Sequence, residues 1–386
     1  MKLGTLLIHN GYDTDAATGA LGTPVYQTST FDRGPDFRKD ETPPPAGRME
    51  YDYSRSGNPT RKALETAAAL LEGGSSGYAF SSGIAAIAAA LGIFSAGDHI
   101  ITAEDIYGGS YRLLNTYFKR WKLEHTALNE VNPDTIRAAI RPNTKAVFIE
   151  TPSNPLLKIT DIQASCAAAR EAGLISIVDN TFMTPLLQRP LEQGADIVVH
   201  SATKFLGGHS DVLAGIVVTK TRELGARIYA MQNGLGAVLG PWDCFLVSRG
   251  IKTLKVRMDA QQKTAARLAE FFARHKNVDA VYYPALADRL QKEIHERQAE
   301  GPGAVLSFKT KTVEQARNFL GRTKLAAPAV SLGGVETIAS YPVKMSHAAI
   351  PAPERERLGI ADSLIRISAG LEDADDLIED FDAALR

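Results

Sequence analysis

The sequence has little cysteine and no long hydrophobic run. Its two cysteines, Cys166 and Cys244, have neither the spacing of a zinc site nor the density of a disulfide framework, which favours reduced thiols in a cytoplasmic protein. The apolar stretch near the N-terminus covers only Leu6 to Ile8, too short for a signal-peptide core, and no segment is long enough to span a membrane. We therefore expect a cytoplasmic protein without a membrane partner.

An excess of charge of either sign is also absent. Lys and Arg together number 43 and Asp and Glu 44, so the formal net charge is −1. Recognition of nucleic acid or of an anionic membrane needs a concentrated excess of basic residues, so this balance argues against both. No metal-ligand spacing is found either, and no metal is expected. The expected partner is a small molecule.

The chain is long enough for more than one hydrophobic core. At 386 residues it predicts a large domain and a smaller one, and the lack of an internal repeat excludes solenoids and propellers. A proline-rich patch at 42–47 predicts an exposed loop. The predicted organisation is an N-terminal arm over 1–59, a large α/β domain over 60–250 and a smaller α+β domain over 251–386.

Short apolar runs alternate with helix-like segments between about residues 60 and 250. Such runs are typical of strands buried on both faces, which predicts a mostly parallel sheet with helices on each side. Ligands bind such sheets at the carboxyl ends of the strands. Four polar clusters directly follow apolar runs and are expected to converge at that edge: residues 81–83, 151–155, 179–181 and 200–204.

The last third of the sequence predicts a long helix over 253–275 and strands over 278–283 and 304–308. The acidic stretch 371–381 resembles a binding tail. Its apolar residues recur at steps of three and four, so the acids are interpreted as the solvated face of a packed helix. The apolar residues concerned are Leu371, Ala374, Ile378, Phe381 and Leu385.

Two charged residues at the ends of neighbouring buried strands indicate a cofactor. Asp179 ends one strand, and Lys204 follows the next in Ser201-Ala202-Thr203-Lys204. Pyridoxal 5′-phosphate (PLP) requires an acid that keeps its pyridine nitrogen protonated and an amine that forms a Schiff base with its aldehyde. Partial desolvation lowers the pKa of such a lysine and frees its amine to act as a base. Ser201 and Thr203 are predicted to donate hydroxyl groups to the phosphate.

A phosphate site is also suggested by Ser81-Ser82-Gly83, which joins a strand to an alanine-rich helix. Free N–H groups at a helix N-terminus bind phosphate, and Gly83 lets the backbone approach closely. A simple Ser-capped helix would give the same pattern.

Two other classes of protein compete with this interpretation. A nicotinamide-dependent dehydrogenase shares the alternating pattern, but its Gly-x-Gly-x-x-Gly motif is missing after the first strands. The glycine-rich segment 234–240 has one residue too many and no strand directly before it. A non-catalytic scaffold protein would not explain why Asp179 and Lys204 lie at the ends of neighbouring buried strands. A PLP enzyme is therefore favoured.

Eight stretches of this sequence resemble the Cys/Met-metabolism family of PLP enzymes, in the family's order and over nearly the whole chain. Within this family, the sequence is most similar to the cystathionine β-lyases of Gram-positive bacteria. The stretches are Tyr51 to Thr60, Ser81-Ser82-Gly83, Asp105 to Gly109, Pro152 to Pro155, Val178 to Thr181, His200 to Lys204, Ser331 to Glu336 and Arg366 to Glu372.

The resemblance implies a fold-type I PLP enzyme with a defined set of cofactor contacts. Tyr107 would stack on the pyridine ring and take part in catalysis with Lys204, and Asn154 would contact the ring hydroxyl. Gly83 and Ile84 would offer backbone N–H groups to the phosphate. Tyr53 and Arg55 would reach the neighbouring subunit's cofactor, which implies a homotetramer built as a dimer of dimers.

The resemblance also implies the substrate. Arg366, with Asn154 and Ser331 nearby, would bind the substrate α-carboxylate, a task suited to a planar two-pronged donor. Arg112 and Glu336 would lie near the substrate's far end. Gly109 stands where methionine γ-lyases carry cysteine, which disfavours that activity. The implied reaction is β-elimination of cystathionine to homocysteine, pyruvate and ammonia, with cystathionine γ-lyase or γ-synthase chemistry as the alternative.

Overall fold

The computed structural model describes residues 1–11, 14–15, 17–32 and 51–386, so the loop predicted at 42–47 lies outside the described residues. Its larger sheet has seven strands in the order β1-β7-β6-β5-β4-β2-β3, and β7 runs against the others. The strands are β1 (Ser76–Phe80), β2 (His99–Ala103), β3 (Glu124–Leu128), β4 (Thr144–Glu150), β5 (Ile175–Asp179), β6 (Ile197–Ser201) and β7 (Gly215–Thr219).

The central strands of this sheet are covered on both faces. Every residue of β2 and β7 is buried, and so is β4 apart from Lys145. Continuous burial is what the unbroken apolar runs predicted, since parallel strands are packed against helices on each side. The predicted mostly parallel sheet is confirmed.

Helices surround both sheets, and their bounds match the sequence signals. In α2, Asn58 caps the first turn, Pro59 occupies the first helical position, and Gly73 ends the helix in the left-handed conformation (φ 72°). The helices are α1 (Leu3–Leu6), α2 (Pro59–Glu72), α3 (Gly83–Gly92), α4 (Gly108–Arg112), α5 (Pro133–Ala139), α6 (Ile162–Glu171), α7 (Thr184–Leu187), α8 (Arg222–Leu235), α9 (Pro241–Lys252), α10 (Leu254–Arg274), α11 (Arg289–Gln298), α12 (Val313–Arg322), α13 (Ala352–Leu358) and α14 (Ala374–Leu385). A π-helix, Leu113–Phe118, continues α4.

The second sheet is formed by β10-β11-β12-β9-β8 and packs on α10 and α12, which in turn pack against α14. Its strands are β8 (Val278–Tyr282), β9 (Val305–Thr310), β10 (Ala327–Pro328), β11 (Ile338–Ser340) and β12 (Leu364–Ser368). Phe272, Phe308, Phe319 and Phe381 pack together with ring centroids 4.0–6.3 Å apart. The two sheets fall within 60–250 and 251–386, and we retain those ranges as proposed domains.

The acidic C-terminal stretch forms the packed helix α14, with Ala374, Leu377 and Phe381 buried. Leu371 is an exception to the predicted apolar face. It precedes the helix and is exposed, because α14 begins only after Asp373 caps it. Over the described ranges, the structure has no helix with the length and apolar character needed to cross a membrane.

Candidate active site

The predicted polar clusters meet at the carboxyl edge of the larger sheet. The Ser201 N–H donates to Thr181 Oγ1 at 2.8 Å, and the Thr181 hydroxyl donates to Asp179 Oδ1 at 2.5 Å. This chain of hydrogen bonds joins the end of β6 to the end of β5. A Cβ added at Gly83 would lie 2.6 Å from the Ser201 side chain, so the start of α3 closes directly onto β6.

Asp179 presents a buried carboxylate at the end of β5, only 7% exposed. Burial raises its pKa, while the Thr181 hydrogen bonds and the charge of His200 act in the opposite direction. The neighbouring strand supplies a second buried carboxyl, because Glu150 is the register partner of Asp179. Burial and then the charge of Asp179 raise the pKa of Glu150 well above its ordinary range. The charge of Asp179 therefore disfavours ionisation of Glu150.

Lys204 lies just beyond β6, and its Nζ donates to Ser331 Oγ at 2.6 Å. Burial, assisted by the charge of Arg366, lowers the pKa of the Lys204 amine to about 8. A neutral amine is therefore accessible near physiological pH. Ser331 holds a left-handed backbone (φ 84°), which is strained for a residue with a side chain.

Arg366, on β12, projects from the smaller sheet into this site. Its Nη1 donates to Asn154 Oδ1 at 2.8 Å and its Nη2 to the Ser331 carbonyl at 2.7 Å. The Nε atom is buried, and no hydrogen-bond partner for it is found among the described residues. Burial lowers the pKa of Arg366 to about 10, so the guanidinium remains charged at pH 7. A buried cation with a free donor is suited to an incoming carboxylate.

The Tyr107 loop is held from two sides. The Tyr107 N–H donates to Glu150 Oε2 at 2.9 Å. Gly108 lies so close to the Ser346 carbonyl that an added Cβ would be 1.8 Å away, and a Cβ at Gly109 would lie 2.3 Å from the Tyr107 ring. The ring is 41% exposed at the mouth of the site. Because Gly109 has no side chain, the Tyr107 ring can occupy this space.

His347 supports Asn154 from behind, because its Nε2 donates to the Asn154 carbonyl at 3.0 Å. Burial, with the charge of Arg366, lowers the pKa of His347 to about 4, so the ring is neutral at pH 7. Sequence reasoning assigned no role to His347, Glu150 or Thr181. Thr181 could have been found from its place two residues after Asp179, but the other two need three-dimensional contacts.

Several predicted site residues are exposed or hydrogen-bonded to other groups in the structure. Arg112 is exposed on α4, and Glu336 is exposed with its Oε2 3.4 Å from Ser210 Oγ. The Thr203 hydroxyl is engaged by the Ala214 carbonyl and N–H at 3.2 and 2.9 Å. In the described part of the chain, no set of three or more His, Cys, Asp or Glu side chains is placed to hold a metal ion.

The arm residues Tyr53 and Arg55 also lie outside the cluster. Tyr53 is 44% exposed, and Arg55 Nε donates to Asn233 Oδ1 at 3.2 Å on α8. The Arg55 guanidinium carbon lies 5.4 Å from the centroid of the Tyr53 ring. Both side chains are therefore presented at the surface of the subunit.

The residues present fit PLP. Asp179 would supply a buried acid for the ring nitrogen, and Lys204 would supply an amine of lowered pKa for the aldehyde. The first turn of α3 begins at Gly83 and Ile84, whose N–H groups have no acceptor within the helix, and the close approach at Gly83 leaves no room for a side chain. A phosphate, a pyridine ring and an aldehyde would each meet a complementary group.

The chain belongs to the Cys/Met metabolism PLP-dependent enzyme family, whose model matches residues 4–386. This confirms the predicted family, the PLP cofactor and the enzymatic character of the protein.

Characterised relatives place the chain among enzymes of cystathionine metabolism. It is 51% identical to cystathionine β-lyase MetC of Bacillus subtilis, over all of this chain and 96% of the relative. It is 48% identical to cystathionine γ-lyase of the same organism, over all of this chain and 99% of the relative. The crystal structure of Lactobacillus plantarum cystathionine γ-lyase with L-serine superposes with a TM-score of 0.94 at 44% identity, covering all of this chain and 98% of that one. The fold-type I prediction is thereby confirmed.

Proposed function

We propose that this protein is a carbon–sulfur lyase that cleaves cystathionine by β-elimination, with water, to homocysteine, pyruvate and ammonia. The observation that carries the proposal is the 51% identity to a cystathionine β-lyase over the full chain. The site is consistent with it, because a buried guanidinium and an amine of lowered pKa lie on either side of Ser331.

Bound PLP supplies an electron sink that stabilises negative charge on the substrate α-carbon. The chain's residues then have separate tasks. Arg366 Nε, which has no partner among the described residues, offers a donor to the substrate carboxylate and fixes which carbon lies beside Lys204. Lys204 Nζ, neutral above a pKa of about 8, accepts the α-proton. Ser331 Oγ directs the lysine by accepting a hydrogen bond from its Nζ.

The position of sulfur relative to the clamped carboxylate decides the products. β-Elimination needs one proton removed, at the α-carbon, whereas γ-elimination needs a second proton removed from the β-carbon. A single lysine of lowered pKa beside the Arg366 clamp meets the first requirement. The γ-lyase relatives make γ-elimination the second candidate, with Glu336 and Arg112 as groups for the far end of the substrate.

A product assay distinguishes the two reactions. We expect purified holoenzyme supplied with L,L-cystathionine to release pyruvate and homocysteine as its main products. Chromatography of the keto acids as hydrazones measures pyruvate against 2-oxobutyrate in the same sample. Predominance of 2-oxobutyrate and cysteine would replace the β-lyase assignment with γ-lyase and leave the PLP site unaffected.

The active assembly is proposed to be a homotetramer, a dimer of dimers in the cytoplasm. Tyr53 and Arg55 face outward from their own subunit, as residues that complete a neighbour's site would. In this proposal Arg55 contacts the phosphate of the neighbouring subunit's cofactor. The two buried cysteines are unpaired, which suits a reducing compartment.

Hybrid oligomers test the role of Arg55. We expect Arg55→Ala and Lys204→Ala chains each to be inactive alone and to regain activity when unfolded and refolded together, because some hybrids then contain one intact site. Differently tagged chains allow the hybrids to be purified before assay. Arg222→Ala is the matched control. It should be active alone, and it should remain active when it is refolded together with Lys204→Ala. Inactive Arg55→Ala/Lys204→Ala hybrids would mean that Arg55 serves its own subunit.

A further inference from the structure

A hydrogen-bonded pair of ionisable side chains is buried behind the larger sheet, on the face opposite the cofactor residues. Glu72, the last residue of α2, and His200 on β6 are 1% and 2% exposed. Glu72 Oε1 lies 2.6 Å from His200 Nε2. Burying two such groups is costly unless they are paired. Neither takes part in the proposed reaction, so the pair calls for another explanation.

Glu72 also binds the neighbouring strand end. Asn180 Nδ2 donates to the same Oε1 atom at 2.9 Å. Asn180 directly follows Asp179, and His200 directly precedes Ser201, so one carboxylate oxygen holds both strands next to their cofactor residues. Side chains alternate between the faces of a strand, which places Asn180 and His200 on the α2 face while their neighbours face α3.

The network extends to a third strand. Gln188 Nε2 donates to Asn180 Oδ1 and to the Thr151 carbonyl, each at 3.1 Å. Thr151 directly follows β4. The ends of β4, β5 and β6 are therefore connected by buried hydrogen bonds that begin at Glu72.

The charge of the pair reaches Asp179. The register of β5 and β6 pairs Asp179 with Val199, so His200 is one residue further along the adjacent strand. At ordinary strand spacing, the Cα atoms of Asp179 and His200 are about 6 Å apart. Their side chains leave opposite faces of the sheet, so the charged groups are further apart than the Cα atoms, and a charge on His200 acts on Asp179 through the buried strand end. A positive charge on His200 lowers the pKa of Asp179, in the direction opposite to that of burial.

We propose that Glu72 and His200 are positioning residues that fix the ends of β5 and β6 and keep Asp179 ionised for the cofactor's ring nitrogen. In this proposal a carboxylate at Glu72 favours positive charge on His200, and that charge favours the carboxylate form of Asp179. The inference rests on the proposed role of Asp179 in binding that nitrogen.

The experiment measures the ring nitrogen directly. Holoenzyme is reconstituted with PLP labelled with ¹⁵N in the ring, and its ¹⁵N resonance is recorded by solid-state NMR. Asp179→Asn sets the position of the unprotonated ring. Glu72→Gln keeps the Oε1 acceptor and removes only the charge, so we expect its resonance to lie between those of wild type and Asp179→Asn. His200→Gln should shift in the same direction, and each should weaken PLP binding about tenfold, which corresponds to about 1.4 kcal/mol.

His99→Gln is the matched control. His99 is also buried in this sheet and bonded through both ring nitrogens, to Thr144 and Thr126, but it lies at the amino end of β2, far along the strand from the site. Its variant should keep the wild-type resonance whatever its melting temperature. Wild-type resonances in both Glu72→Gln and His200→Gln, with a shift in Asp179→Asn, would overturn this inference alone. An unshifted Asp179→Asn would overturn the role of Asp179 and the inference with it. If Glu72→Gln does not fold, His200→Gln decides.

Discussion

Replacing Lys204 by alanine is expected to lower the kcat/KM for cystathionine cleavage by about 10⁴-fold, the upper end of what a positioned general base contributes. The physical reason is the environment of the amine. Burial lowers its pKa to about 8, and Ser331 Oγ holds Nζ at 2.6 Å, so a directed neutral amine is accessible near physiological pH. An alanine at 204 leaves no group with both properties among the contacts of Arg366 and Asp179 described above.

The covalent assignment is tested on the same protein. Borohydride treatment of wild-type holoenzyme followed by peptide mapping should place the pyridoxyl group on Lys204. Lys220, exposed after β7, is the matched control, and Lys220→Ala should keep full activity and the same labelled peptide. Labelling of Lys220 or of any other lysine, or a Lys204→Ala variant with wild-type activity, would contradict the assignment.

Replacing Arg366 by alanine is expected to lower kcat/KM by about 100-fold, mostly through a raised KM. Truncating one partner of a buried charged hydrogen bond costs about 2–5 kcal/mol, and the substrate carboxylate would lose such a partner. Arg366→Lys keeps the charge but loses the two-pronged geometry, so it should recover only part of the activity. Steady-state kinetics on cystathionine measures both variants.

The control for this series separates binding from folding. Arg357 is half-exposed and paired with Glu354 and Glu104 at the surface, so Arg357→Ala should behave as wild type. PLP content should remain at the wild-type level in Arg366→Ala, because the guanidinium is assigned to the substrate and not to the phosphate. Loss of bound PLP in that variant, or an unchanged KM, would show that Arg366 has a structural role.

The sequence predicted those parts of the site that depend on local pattern. Asp179 and Lys204 each follow a short apolar run, and strand ends of a parallel sheet share one edge, so their proximity could be deduced without coordinates. The start of α3 at Gly83 could also be deduced, because Ser81-Ser82-Gly83 directly follows an apolar run and precedes an alanine-rich segment. Such inferences need only the order of elements along the chain.

Contacts between distant segments could not be predicted in this way. The Lys204–Ser331 hydrogen bond joins residues 127 positions apart, and Ser331 reaches it through a left-handed backbone that no residue preference indicates. The Glu72–His200 pair joins residues 128 positions apart. It lies on the face of the larger sheet opposite the cofactor residues, and the motif around Lys204 does not indicate that face. The error at Leu371 came from periodicity alone, because the pattern continues one turn beyond the cap at Asp373.

The order of the two sheets along the chain determines the order in which the site can be assembled during biosynthesis. All strands bearing the residues assigned to the cofactor leave the ribosome before the second sheet, whereas Arg366 and Asn154 are 212 positions apart. Contacts of such long range form late, since their loop-closure entropy must be overcome first. A nascent or prematurely terminated chain that ends before β12 therefore carries Lys204, the proposed aldehyde-reactive lysine, without Arg366, the proposed clamp for the substrate carboxylate. Cellular quality control would have to remove such truncated chains before the Lys204 amine reacts with other aldehydes.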